Sequence, residues 1–262
     1  MKISNGWKIV LIATGFNLLF EYSLRGVNNV VEQPLLPPVL FTSYLTYFTI
    51  LENLIVKYRL KDYHLMIASF FYGTIGVCFA SGLAFTPPLL LGINWPSLLF
   101  VNLVWWGAIQ AIVTFYVANR LAPRDWNHGL LSKTGWAVAL FLNGSTFVIF
   151  QLNQFVPRGT STGHEVTIFV LIIAAVIFQK TLPNKEPRNS SPAFKKDKVM
   201  DYLSLSTAIL FFVCAVLLIH DPTYSGASHV NQTSLKIILV WTAIVALAIL
   251  VYRFHSKKEI PV

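Results

Sequence analysis

Apolar residues run along this chain in eight long blocks separated by short polar stretches. The blocks cover residues 7–25, 36–57, 64–85, 98–119, 134–156, 164–180, 202–220 and 233–253. None shows the strict alternation of a half-buried strand. An α-helix needs roughly 17–25 mostly apolar residues to cross the hydrocarbon of a bilayer, and it satisfies its own backbone there. The pattern therefore predicts an all-α, polytopic membrane bundle of about eight transmembrane helices, a single transmembrane domain over 1–262. Pro37-Pro38 suits the start of the second helix, since the N–H groups of a first turn have no internal acceptor.

Composition agrees. The chain is 55% hydrophobic and 12% charged, where a soluble domain carries about 25% charged residues. Too few charges are present to cover a water-facing surface. The first block lacks a small-residue cleavage site and runs into Glu21-Tyr22-Ser23-Leu24-Arg25, so it reads as a first span that doubles as the insertion signal.

A net charge of +9 raises the question of nucleic acid, and the positions of the charges answer it. With a cytoplasmic N-terminus, 17 lysines and arginines fall in inner segments, while Arg25, Arg158 and Lys236, 3 in all, fall outside. Inner loops are expected to be basic. The charge is thus a topology signal, with both termini cytoplasmic, and it excludes a nucleic-acid partner. Residues 181–201, TLPNKEPRNSSPAFKKDKVMD, read as a flexible basic cytoplasmic loop between helices six and seven. The outer stretch 86–97 holds no charge, with Trp95 as an interfacial anchor. Asn231-Gln232-Thr233 has the form of a glycosylation triplet. Cys78 and Cys214 lie within apolar runs and read as small buried residues.

Polar groups inside spans are costly and carry the functional hypotheses. Glu21 and Arg25 stand four apart, on one face of the first helix, where they form a self-neutralised ion pair or an outward-facing site. Counting helical rise places Glu21 roughly 20 Å above the inner face and Glu52 roughly 7 Å. The two are therefore not a catalytic carboxylate pair, and Glu52 either meets Lys57 or Arg59 or joins a site. Asn17, Thr46, Thr49, Thr74, Gln110 and Asn143 all fall roughly 10–17 Å from that face. This neutral layer from five helices is either a small polar pocket or hydrogen-bonded glue between helices. No histidine lies at mid-membrane depth. His164, Glu165, His220, Asp221 and His229 gather outside without diagnostic ligand spacing. No metal or cofactor is implied.

Residues 43–55, Ser-Tyr-Leu-Thr-Tyr-Phe-Thr-Ile-Leu-Glu-Asn-Leu-Ile, resemble the second-helix motif of the bacterial Pr6Pr membrane family. That family looks distantly related to the androgen-induced membrane hydrolases, which cleave fatty-acid esters with an intramembrane threonine and a histidine. The resemblance implies Thr49 as the nucleophile and places Asn53 at the motif asparagine. The histidine does not carry over: 102–110, where it is expected, contain none.

Three functions follow as expectations. The simplest is binding or transport of a small molecule through the inner-half polar layer of Asn17, Thr46, Thr49, Glu52, Asn53, Thr74, Gln110 and Asn143. The second is hydrolysis of a lipid ester at Thr49, and the third a structural or assembly role. Membrane lipids are the expected surroundings, with a small molecule or a lipid as ligand.

Overall fold

The computed structural model describes residues 3–126, 129–152, 158–182, 194, 196–217, 230–256 and 260. Among them are eight long helices: α1 (Asn5–Arg25), α2 (Leu36–Tyr58), α3 (Asp62–Ala80), α4 (Trp95–Leu121), α5 (Lys133–Gln151), α6 (Ser161–Thr181), α7 (Lys198–Leu217) and α8 (Gln232–Ser256). No strand occurs among the described residues; Leu90 and Ile93 form an isolated bridge in the loop before α4. Most of the 181–201 stretch lies outside the described residues.

Seven of the eight, α2 to α8, are long and apolar enough to cross a membrane. α1 has 21 residues but is less apolar, because it carries Lys8, Asn17, Glu21 and Arg25. Packing explains the tolerance: α2, α4, α7 and α8 all lie against it, so protein rather than lipid surrounds much of its length. At the periphery the balance reverses. Only 17% of the spanning window of α5 or α6 is buried, against 67% for α4. Phe141, Leu140, Phe169 and Ile172 stand exposed on those outer helices, an apolar face that only lipid can satisfy. The chain is a multi-pass integral membrane protein whose helices contact lipid.

Local signals set the helix ends. Ser4, Ser132 and Thr160 cap α1, α5 and α6 with side-chain oxygens, each satisfying an N–H that the first turn leaves open. α2 starts at Leu36 with Pro37 and Pro38 behind it and stops at Arg59, whose φ of 53° is left-handed. Asn231, of the glycosylation-type triplet, is 2% exposed and accepts from the Ser234 N–H at 2.9 Å. It caps α8 and is not presented as a glycan acceptor.

Two spans depart from α geometry. α3 ends in a π-helical turn, Gly76–Ala80, and α4 is π-helical over Val101–Val113. These helices pack closely because Gly73 has no side chain: a Cβ there would lie 2.6 Å from both Asn102 Oδ1 and the Trp106 ring. Aromatic rings fill the neighbouring space, Tyr47 stacking on Tyr72 at 4.2 Å and meeting Trp106 edge-on at 5.2 Å.

Contacts between helix ends show the up-and-down order. At one end Asp62 of α3 pairs with Arg253 of α8 at 2.8 Å, His64 Nε2 meets the Thr181 carbonyl at 2.6 Å, and Tyr116 of α4 donates to Asp201 of α7 at 2.7 Å. At the other, the Val27 N–H donates to the Ala215 carbonyl and the Asn231 N–H to that of Leu24. Lys57, Arg59, Arg120, Arg124, Lys133, Lys180 and Arg253 all belong to the first end.

Candidate functional site

α1 presents a polar stripe: Thr14, Asn17, Glu21 and Arg25 recur at three- and four-residue intervals and so share one face. From Thr14 to Arg25 the stripe rises about 16 Å. α4 runs antiparallel beside it and answers in register. Asn17 donates to the Thr114 hydroxyl at 3.0 Å. One turn further along α1, Glu21 accepts from Tyr44 of α2, whose oxygen in turn accepts from the Gln110 amide at 3.3 Å. Arg25 closes the series through its ion pair with Glu21. The result is a chain Gln110–Tyr44–Glu21–Arg25 across three helices.

The seam leaves polar atoms over. Thr14 Oγ1, Asn17 Oδ1, Gln110 Oε1 and Arg25 Nε are buried without a hydrogen-bond partner. An unmade hydrogen bond at a buried group costs about 1–3 kcal/mol. Several along one seam mark a place where a polar guest is favoured. The π-helical stretch of α4 carries Gln110, and π distortions inside helices recur at functional sites.

The neutral layer read from depth does not gather into one pocket. Among the described residues Thr46 and Asn143 are the two members that hydrogen-bond to each other: the Asn143 amide donates to Thr46 Oγ1 at 2.9 Å and to Tyr72 OH at 2.7 Å, tying α5 to α2 and α3. Thr74 accepts from Asn102 at 2.8 Å. Asn17 and Gln110 belong to the α1–α4 seam. Depth also set Glu21 apart from Gln110, and Tyr44 spans that gap. Thr49 is 4% exposed and its hydroxyl donates to the Leu45 carbonyl at 2.6 Å. Among the described residues no histidine or carboxylate hydrogen-bonds to it.

Glu52 meets neither Lys57 nor Arg59. It is gripped by Arg124 from the loop after α4, with both side chains sealed from solvent. The Arg124 guanidinium also lies over Trp126 at 5.1 Å, and Arg59 over the same ring at 4.8 Å. Asn53, one residue on, accepts from the Leu131 N–H at 3.1 Å, so it pins the loop ahead of α5.

Tyr44, Thr114, Asn102, Tyr72 and Arg124 were invisible to depth counting. Thr114 carried a usable signal, standing one turn beyond Gln110 on the same helix. Tyr44 and Tyr72 are aromatic residues in spans with no charge to mark them, and Arg124 belongs with the basic residues of the inner segments. Among the described residues no three His, Cys, Asp or Glu side chains converge as metal ligands; His220, Asp221 and His229 lie outside those residues. Comparison with protein-family models, curated proteins and solved structures finds no match.

Proposed function

We propose that this membrane protein binds a small polar solute at the α1–α4 seam and carries it along the polar stripe of α1, with both termini in the cytoplasm. The observation that supports the reading best is the pair of orphaned carbonyl oxygens, Asn17 Oδ1 and Gln110 Oε1, on successive rungs of one seam. Both are acceptors, so the favoured guest brings N–H or O–H donors. Arg25 Nε, unpartnered two turns further along the stripe, offers a donor to an oxygen of a guest that moves along it. Polar groups within spans face the bundle interior and mark solute pathways. The orientation rests on the basic end of the bundle, which the positive-inside rule assigns to the cytoplasm.

The test is the small-molecule content of the purified protein. Wild type, Asn17→Leu and Gln110→Leu are isolated in mild detergent at equal yield, and the extracts are profiled by mass spectrometry. A polar compound enriched with wild type and depleted about tenfold in each variant, equivalent to about 1.4 kcal/mol, supports the reading. Equal content in all three overturns it.

A further inference from the structure

A cavity of about 380 Å³ opens at the basic end of the bundle, between α2, the loop before α5 and the first turn of α5. That volume falls in the range of about 300–1,000 Å³ typical of small-molecule sites. Its lining includes Asn53, Lys57, Trp126, Lys133 and Trp136 and, among the described residues, no carboxylate.

Four features give the cavity one chemical preference. Lys57 and Lys133 both line the cavity, with the Lys57 ammonium 5.0 Å from the neighbouring Tyr58 ring, and among the described residues neither is in an ion pair. Arg59 does not line the cavity but stacks on the Trp126 ring at 4.8 Å with Nη1 buried and unpartnered, which adds a third positive charge nearby. The first turn of α5 supplies Lys133 and Trp136, and helix N-termini favour anions. The Asn53 carbonyl oxygen is occupied by Leu131, so its NH2 group is the donor left for the cavity. The field is cationic, the hydrogen bonds offered are donors, and the indole rings suit the membrane interface.

The surroundings say how such an anion arrives. One turn along α5 from Trp136 stand Leu140 and Phe141, both exposed on the lipid-facing side. A headgroup in the cavity can lay its acyl chains on that face without leaving the bilayer. We propose that the cavity is a binding site for a phosphate ester, carried by the headgroup of an anionic phospholipid. The site is separate from the α1–α4 seam and does not depend on the solute reading.

Delipidated full-length protein is titrated in detergent with palmitoyl-oleoyl phosphatidylglycerol or the matching phosphatidylcholine, and bound lipid is counted by native mass spectrometry. Wild type should take one phosphatidylglycerol about tenfold more tightly than phosphatidylcholine, as befits two juxtamembrane lysines. The exposed pair Lys57→Gln/Lys133→Gln should lose that preference, and Lys180→Gln, basic but away from the cavity, should keep it. A second arm uses glycerol phosphate alone. If it raises the melting temperature of wild type and not of the double variant, while the lipids show no preference, the same chemistry belongs to a soluble ester. No preference in either arm overturns the site, as does a preference that survives in the double variant or is lost equally in Lys180→Gln.

Discussion

Arg124 holds Glu52 through two parallel hydrogen bonds, Nε to Oε1 at 2.8 Å and Nη2 to Oε2 at 2.7 Å, with side-chain exposures of 0% and 1%. The fork geometry matches a carboxylate edge to edge. It fastens the loop after α4 to the middle of α2's final turns. Removing one member strands a buried charge, which typically costs about 3–5 kcal/mol, whereas replacing both by apolar residues of similar volume is often neutral. Glu52→Leu and Arg124→Met should each lower the melting temperature of the purified protein sharply, and the double variant should recover most of the loss. A double variant no better than the singles would mean that the pair does more than neutralise itself.

Tyr44 is a different kind of link. Its hydroxyl stands between Gln110 and Glu21, while Glu21 keeps Arg25 as a second partner. Tyr44→Phe should therefore cost about 0.5–1.5 kcal/mol in stability and still deplete the copurifying solute. Unaltered solute content in Tyr44→Phe would remove the hydroxyl from the site.

Asn143 offers the contrast. It binds Thr46, Tyr72 and the Ser43 carbonyl, so its amide protons are spent on helix contacts. Interhelical side-chain bonds in membranes average about 0.6 kcal/mol and reach about 1.7. Asn143→Leu should lower the melting temperature modestly and leave solute content unchanged. A loss of solute without destabilisation would move Asn143 into the site.

Close approach of α3 and α4 depends on Gly73, where a Cβ would lie 2.6 Å from Asn102 and Trp106. Overpacking a tight contact typically costs about 1–3 kcal/mol. Gly73→Ala should destabilise the protein by that order in thermal unfolding. Gly144, whose Cβ would meet nothing within 4 Å, should accept alanine without loss.

Orientation is accessible to thiol labelling, because Cys78 and Cys214 are both buried and give a low background. Leu90→Cys, at a loop position 67% exposed, should react with a membrane-impermeant maleimide in intact cells. Ser132→Cys, exposed at the basic end, should react only after permeabilisation. The reverse pattern would turn the protein over in the membrane.

The helices were legible because lipid imposes a length and an apolar composition on each span, and Pro37-Pro38 marks the start of α2. The partners were not. Counting residues gives the height of a side chain in the membrane but not the direction it faces around its helix. Thr74 and Asn143 share a height and bond to different neighbours, Asn102 and Tyr72. Glu52 finds a partner 72 positions away, in a loop whose arginine already had an explanation as a topology charge. Tyr44 escaped because a phenol in a membrane helix has so many ordinary roles.

The polar stripe of α1 belongs to a helix that leaves the ribosome before the segments that cover it. While α2, α4, α7 and α8 are still unmade, Asn17 has no Thr114 and Glu21 has no Tyr44. During that interval only Arg25, one turn along the same helix, is at hand to neutralise Glu21. The ion pair is thus a contact of Glu21 that α1 supplies from its own sequence, before the helices that close around it are made.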